Sequence, residues 1–341
     1  RSGVTEALHH EPVSPDTYTD GSTLYAESHP LNASFMLNSY AARRALTFLT
    51  QRPEVDTTKL GVTGHSMGGI TTTITGTDSR VKAIAPSVGG TGWDYELYWG
   101  TQQANKFLYL SMNPQFQEWG MIPTAQELSD YDYYVRTVSQ ESYWPSINAP
   151  ALFIGATNDF NSPFDRIQPS IDLMPAGIES NVSISTHYNH GFIDSTEITQ
   201  ALWLDTHLKG SFDYPTQGDA SLDLTRASGI PVYSVTPDQS VASAVSKVDI
   251  YYGYERMPLE RFWHEATAFE VSPGTWEAPC PVFDTNDPLF AYAVITYDLG
   301  YEKNFTFGKT SSSFNVASST KIAYPEDLTA NDIVADNSLN R

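Results

Sequence analysis

Ser66 lies in a five-residue pattern that could supply a nucleophile. The segment Gly64-His65-Ser66-Met67-Gly68 fits G-x-S-x-G, with a short apolar run before it and a helix-forming run after it. Such a turn lifts the serine hydroxyl above a sheet edge and leaves it at a helix N-terminus. The amide of Met67 would then face a developing oxyanion. We expect glycine at positions 64 and 68 because a Cβ there would collide with the neighbouring strand or helix.

A serine hydroxyl needs a base to take its proton, and the base needs a carboxylate to orient it. After a turn of this kind, the acid and then the histidine are expected further along the chain. Asp159 follows one predicted strand and His190 follows the next, so both belong to the sheet edge that carries Ser66. We therefore predict Ser66 as nucleophile, His190 as base and Asp159 as its orienting acid. His187 is the alternative base and Asp94 the alternative acid.

Strands and helices alternate from about residue 32 to residue 209. Strands are predicted at 60–63, 81–87, 151–156 and 182–187. Helices are predicted after Asn32, from Met67 to Ile74 and over 195–209, where Gly210 ends the last one. This alternation predicts an α/β fold with a parallel sheet, whose chemistry lies at the carboxyl ends of the strands.

A long insertion interrupts the alternation at about residues 89–146 and is rich in aromatic residues. It leaves from the carboxyl end of a strand, so we expect a helical cap that overhangs Ser66. Its rings could form a private core or line the site. Trp93, Tyr95 and Trp99 are nearest in sequence to the sheet edge. We predict them, with His65, as substrate-binding residues.

The pattern changes after residue 210, where short strands are separated by Pro, Gly, Asp and Ser. Strands are predicted at 230–234, 246–254, 289–299 and 304–308. This predicts a β-sandwich domain over 211–341 with its own core, a polar tail from Asp327, and an α/β domain over 1–210.

The quoted segments resemble a known family. Pro53 to Gly69 is similar to the elbow of the α/β-hydrolase superfamily, close to its dienelactone hydrolase and acetyl xylan esterase branches. The segment 151–163 resembles the acid-bearing segment of that group, and His190-Gly191-Phe192 resembles its histidine loop. The resemblance covers about residues 32–209 and implies ester hydrolysis through an acyl-enzyme. Dienelactone hydrolases carry a cysteine nucleophile, whereas Cys280 of this chain lies far outside the motif. The predicted β-sandwich resembles instead that of acyl esterases and prolyl-specific peptidases.

Composition limits the partners. The 341 residues carry a formal charge of −21, which would repel nucleic acid and anionic membranes. Cys280 is the single cysteine, so no internal disulfide is possible. No apolar run approaches the roughly 18 residues of a membrane span. We expect a small-molecule or carbohydrate ester as the partner, with no cofactor, metal, nucleic acid or membrane.

Two other functions remain open. A peptidase that removes short N-terminal peptides would need a carboxylate for the substrate amine, and Asp94, Glu96 or Glu118 could supply it. A binding protein with a relic hydrolase part would use its sandwich instead.

The residues before Lys59 leave room for one strand at most, around Val4 to His10, and no HGGG-like segment is present. Such a sheet would lack its early strands and its second oxyanion donor. We therefore expect a longer polypeptide, or a companion chain that completes the sheet.

Overall fold

The computed structural model describes residues 34–92, 137–159, 162–255, 258, 260–305 and 308–336. A parallel sheet occupies the first part of these ranges, and two antiparallel sheets occupy the second. The predicted strand around Val4 to His10 lies outside the described residues. So does most of the predicted cap, with Trp93, Tyr95 and Trp99.

The parallel sheet has four strands in the order β1-β2-β3-β4. Their bounds are Leu60–His65, Val81–Ser87, Ala151–Ala156 and Ser180–Ser185. Apolar and small residues fill β2 and β3, and all six residues of β3 are buried. Continuous burial of this kind is typical of a parallel sheet that is covered on both faces. All four predicted strands are confirmed, β2 and β3 with the same bounds.

Helices connect these strands. The α-helices are Ser34–Leu49 (α1), Met67–Thr75 (α2), Ile167–Asp172 (α3), Asp194–Glu197 (α4) and Thr199–Leu204 (α5). A π-helical turn, Asp205–Lys209, follows α5, so the single helix predicted over 195–209 consists of three consecutive segments. It ends at Gly210 as expected, because φ of 61° there is a left-handed cap. No helix in the described ranges is long and apolar enough to cross a membrane.

The antiparallel sheets have the orders β5-β6-β10-β9 and β12-β11-β7-β8, and β13 also pairs with β11. Their strands are Asp219–Asp223 (β5), Val232–Thr236 (β6), Ala244–Gly253 (β7), Trp263–Ala266 (β8), Phe269–Ser272 (β9), Thr275–Pro279 (β10), Leu289–Asn304 (β11), Thr310–Ala317 (β12) and Lys321–Ala323 (β13). The strand predicted at 304–308 is not present as predicted in its described residues: residues 305 and 308 are not in a strand, and 306–307 lie outside the described ranges. Asn304 ends β11, and the polar run from Thr310 pairs with β11 instead.

The β11 sheet is buried on both faces, which differs from the separate core that we expected. Successive side chains on a strand point to opposite faces. Ile250 on β7 therefore joins a cluster with the other antiparallel sheet. Tyr251 beside it packs against a different cluster, which contains Trp263 and Tyr292 together with Phe153 of the parallel-sheet part. The two parts thus share two apolar clusters, one on each face of the β11 sheet.

Asn315 on β12 closes the outer edge of β4. Its Oδ1 accepts hydrogen bonds from Ser183 Oγ at 2.5 Å and Ile184 N at 3.2 Å. Its Nδ2 donates to Thr196 Oγ1 at 2.7 Å. The side chain therefore satisfies part of a strand edge that would otherwise be open.

The polar tail predicted from Asp327 is wrong for its first residues. Pro325–Ala330 is a short helix (α6), and Leu328 and Ile333 are buried in the sandwich cluster. These two apolar side chains, and a hydrogen bond from Asp336 N to Val282 O at 2.7 Å, hold this segment on the sandwich. The charged residues around them conceal the pattern in the sequence.

Candidate active site

Ser66 occupies a sharp turn between β1 and α2. Its φ of 58° and ψ of −119° lie where a residue with a Cβ is strained. Hydrogen bonds hold this conformation: Ser66 N donates to Ser87 O at 2.9 Å, and Ser66 O accepts from Gly69 N at 2.8 Å. The predicted strand-turn-helix is thus present.

The glycines around this turn differ from our prediction at one position. A Cβ on Gly64 would lie 2.4 Å from Gly68 O, so Gly64 is required as expected. A Cβ on Gly68 would meet no atom within 4 Å. Instead, a Cβ on Gly69 would lie 2.6 Å from Ser87 O, and one on Gly89 would lie 2.3 Å from Ser66 O. The close approach involves the start of α2 and the segment after β2.

The structure brings Ser66, His190 and Asp159 into one hydrogen-bonded row. His190 Nε2 lies 2.7 Å from Ser66 Oγ, and His190 Nδ1 lies 2.8 Å from Asp159 Oδ2. With a proton on Nδ1, the imidazole donates to the carboxylate and accepts from the hydroxyl. The other carboxylate oxygen of Asp159 accepts from Ser162 N at 3.1 Å. The predicted contacts are therefore present, whereas the catalytic roles of the three residues stay predictions.

Burial and charge set the protonation of the two histidines at this site. The hydrogen bond to Asp159 raises the pKa of His190 above its ordinary value, against the opposing effect of burial. Burial, and then the nearby His190, lower the pKa of His65. The His65 ring lies 5.3 Å from the His190 ring and meets the edge of Phe192 at 5.1 Å. Neutral His65 therefore borders the row without joining it.

The alternative base is not part of this row. His187 has φ of 63°, and its ring lies 5.5 Å from Phe262 and 6.2 Å from Tyr251 of the sandwich. The alternative acid, Asp94, lies outside the described residues.

The segment after β2, residues 88–91, packs against the turn that carries Ser66. We did not predict this support from the sequence. Gln140 Nε2 donates to Gly89 O at 3.0 Å, and Trp144 Nε1 donates to Gly90 O at 2.9 Å. Thr91 Oγ1 lies 2.8 Å from Ser162 Oγ, which connects this segment to the Asp159 loop. The Gly89-Gly90 pair soon after the end of β2 is the sequence feature that could have indicated this close packing.

Met67 is the first residue of α2, so its amide has no acceptor within the helix. Its side chain points to α1, where Asn38 Nδ2 donates to Met67 Sδ at 3.1 Å. The amide is thus free of the helix ladder, and its role as oxyanion donor stays a prediction. Within the described ranges, no three His, Cys, Asp or Glu side chains are grouped so as to hold a metal ion.

Residues 43–209 match the profile of the prolyl oligopeptidase family. This range begins within α1, includes Ser66, Asp159 and His190, and ends with the π-helical turn. It contains the whole parallel sheet and none of the antiparallel strands. No curated protein matches the chain significantly.

Among solved structures, the chain is similar to an acetyl xylan esterase from Paenibacillus sp. R4, with 18% identity and a TM-score of 0.44 over 52% of this chain and 55% of that one. Acetyl xylan esterase 1 from Thermoanaerobacterium sp. JW/SL YS485 gives 14% identity and a TM-score of 0.46, over 57% and 59%. An acylaminoacyl peptidase of Pyrococcus horikoshii gives 19% and 0.35, over 56% and 28%.

The match thus spans little more than half of each esterase and about a quarter of the peptidase. The family match falls on the segment whose parallel sheet and serine turn are described above. Residues 43–209 therefore have the α/β-hydrolase fold.

Proposed function

We propose that this protein is a serine hydrolase that cleaves carboxylic esters through an acyl-enzyme. The observation that carries the proposal is the row in which His190 joins Ser66 at 2.7 Å and Asp159 at 2.8 Å. A hydroxyl within hydrogen-bond reach of an imidazole that a carboxylate orients is the arrangement required for nucleophilic catalysis.

The reaction would take place in two halves. Ser66 Oγ attacks the acyl carbon while His190 Nε2 takes its proton, and the oxyanion forms beside the Met67 amide. His190 then gives the proton to the departing alcohol, which leaves the acyl group on Ser66. In the second half, His190 takes a proton from a water that attacks the acyl carbon. The bond between the acyl carbon and Ser66 Oγ then breaks, His190 returns the proton to Ser66 Oγ, and the carboxylic acid leaves.

We propose acylated carbohydrates or other small esters as the substrate class. Support comes from the resemblance of the elbow, acid and histidine segments to the acetyl xylan esterase branch. Aromatic side chains of the insertion, of which Trp93, Tyr95 and Trp99 are the first candidates, would suit the apolar faces of sugar rings. These three lie outside the described residues.

A peptidase is the second candidate, favoured by the match of residues 43–209 to the prolyl oligopeptidase family. Peptide cleavage uses the same nucleophile and base, so the serine turn and its row suit both reactions. The predicted anchors for a substrate amine, Asp94, Glu96 and Glu118, lie outside the described residues.

Two kinds of chromogenic substrate separate these functions. An esterase turns over p-nitrophenyl acetate and butyrate and releases acetate from acetylated xylo-oligosaccharides. A peptidase shows a higher kcat/KM on dipeptidyl p-nitroanilides. Reaction of Ser66 with a fluorophosphonate, read by intact mass, tests the nucleophile separately. If the folded protein turns over none of these and Ser66 stays unlabelled, a binding function is favoured.

A further inference from the structure

We propose that Asn158 is a positioning residue, which aligns Asp159 on His190 by fastening the loops of both residues to the β-sandwich. This inference rests on the proposed function, because alignment matters only if the row is catalytic. The described residues 157–159 and 162–166 follow β3 and include Asp159, and the loop after β4, residues 186–193, carries His190. We call them the acid loop and the histidine loop.

The side chain of Asn158 reaches the connection between β7 and β8 of the sandwich. Asn158 Nδ2 donates to Pro258 O at 2.8 Å and to Arg261 O at 2.6 Å. Asn158 Oδ1 accepts from Thr157 Oγ1 at 2.8 Å, which fixes the orientation of the amide. Both amide hydrogens are therefore used on backbone carbonyls about one hundred positions further along the chain.

The backbone of Asn158 holds the histidine loop as well. Asn158 N donates to Tyr188 O at 2.9 Å, two residues before His190. Thr157 Oγ1 in turn accepts from His187 N at 2.9 Å. Residues 157 and 158 are thus the point at which the acid loop, the histidine loop and the sandwich meet.

The sandwich side of this contact is itself rigidly held. Arg261 forms a bidentate ion pair with Asp165 of the acid loop. Its Nη1 donates to Asp165 Oδ1 at 2.5 Å and its Nη2 donates to Asp165 Oδ2 at 3.0 Å, and both side chains are almost completely buried. Arg261 Nε donates to Tyr254 O at 2.8 Å, and its guanidinium lies 3.6 Å from the centre of the Phe290 ring. The planar fork of arginine suits such a site, whereas a lysine cannot reproduce it.

Ring contacts strengthen the same junction. Phe164 of the acid loop meets the edge of Trp263 at 5.3 Å and packs on Tyr292 at 4.7 Å. Thr186 Oγ1 of the histidine loop lies 2.7 Å from the hydroxyl of Tyr292. Both loops therefore take their position from the β11 sheet. Because a misplacement of about 1 Å can lower a catalytic rate about 100-fold, this junction bears directly on catalysis.

The test replaces Asn158 by Leu, which has a similar size and no charge and removes both hydrogen bonds to the sandwich. We expect kcat on p-nitrophenyl acetate to fall about 10- to 100-fold while KM changes less than about twofold. The pKa of His190, followed by NMR of its ring and assigned with H190Q, should fall because the carboxylate no longer raises it. The acid limb of kcat/KM should move to lower pH with it.

Asn181→Leu is the matched control. Asn181 also donates from a buried amide to a backbone carbonyl beyond the parallel sheet, Pro215 O at 2.7 Å, but belongs to β4 rather than to either loop. Its loss should lower the melting temperature and leave kcat per folded molecule and the His190 pKa unchanged. The proposal is overturned if both variants lose activity only in proportion to their unfolded fraction.

If N158L does not fold, Arg261→Lys is the second test. It keeps the positive charge but weakens the ion pair with Asp165 that positions Arg261, whose carbonyl oxygen accepts from Asn158. A lowered kcat together with a shifted His190 pKa supports the proposal. If kcat and the His190 pKa both stay at their wild-type values, the proposal is overturned. The NMR titration also separates this idea from the proposed function. If the wild-type protein has no ester or peptide turnover, the proposed function fails, yet the His190 pKa still reports whether Asn158 sets the alignment.

Discussion

At the scale of single residues, Ser66 combines a strained backbone with a hydroxyl that His190 contacts. Ser66→Ala removes the proposed nucleophile and keeps the Cβ, so the strain at φ of 58° is unchanged. We expect kcat on p-nitrophenyl acetate to fall by about 10⁶-fold, with a melting temperature close to that of the wild-type protein.

The control for this variant is Thr63→Ala, which removes a hydroxyl from β1 three residues before Ser66. Thr63 Oγ1 donates to Ala85 O at 2.9 Å and accepts from Gln200 Nε2, so it serves the sheet and not the row. This variant should keep its activity per folded molecule. Full activity in S66A would contradict the nucleophile assignment.

In the proposed mechanism, the pH dependence of activity follows from His190. Its imidazole must be neutral to accept the serine proton, so kcat/KM rises as the pH passes the pKa of His190. The hydrogen bond to Asp159 raises this pKa from 6.5, so the midpoint of the acid limb should lie above pH 6.5. Measuring kcat/KM on p-nitrophenyl acetate across the acid and neutral range tests this.

Asp159→Asn provides the comparison for that profile. It removes the charge that raises the pKa, so the midpoint should move down while the plateau falls by about 10⁴-fold, as in serine proteases with this change. A midpoint that stays in place in D159N would show that another group controls the limb.

At the scale of elements, the turn between β1 and α2 requires glycine at one of its two motif positions and not at the other. Gly64→Ala would place a Cβ 2.4 Å from a backbone oxygen, so we expect a loss of about 1–3 kcal/mol in the free energy of unfolding. Gly68→Ala meets open space inside a helix and should be neutral or stabilise by up to about 1 kcal/mol. Urea unfolding of the two variants gives both values. Equal losses would contradict the geometry of the turn.

The same turn shows what a sequence motif can and cannot predict. The positions of Ser66, Asp159 and His190 at strand ends could be predicted because chain order and buried apolar runs define the edge of a parallel sheet. The motif treats positions 64 and 68 alike, whereas only Gly64 is crowded. That distinction depends on the direction of each Cβ relative to its neighbours in space, which a five-residue pattern does not contain.

The antiparallel strands are harder to predict than the parallel ones. Trp263–Ala266 and Phe269–Ser272 have four residues each, too few for an alternating pattern to be evident. Thr310–Ala317 begins with four small polar residues and is a strand because β11 pairs with it. Their structure therefore depends on contacts with distant parts of the chain rather than on local preference.

At the scale of the whole molecule, the shared interior alters what truncation should do. A chain that ends at Tyr214 loses Trp263, Tyr292 and Phe314, which pack with residues of the α/β part in the two clusters. Removing a buried aromatic side chain costs about 3–5 kcal/mol, so three would cost roughly 9–15 kcal/mol. A typical domain has only about 5–15 kcal/mol in total.

We therefore expect the truncated chain to lose its cooperative unfolding transition and its near-ultraviolet circular dichroism. The control is expression of residues 215–336 as a second polypeptide in the same cells, because it supplies the sandwich side chains of the two clusters again. A sharp transition in the truncated chain alone would show that the α/β part is independent, as the sequence predicts.

The closure of β4 by Asn315 has a consequence for the order of events during synthesis. Ile184 and Asn315 are 131 positions apart, so a ribosome that adds about 5–20 residues per second needs roughly 7–26 s to join them. During that interval the strand that leads to His190 has an open edge, and contacts so distant in sequence also form slowly. The turn that carries Ser66 would thus be synthesised well before the strand that covers β4, and the row of Ser66, Asp159 and His190 would gain its support from the sandwich last.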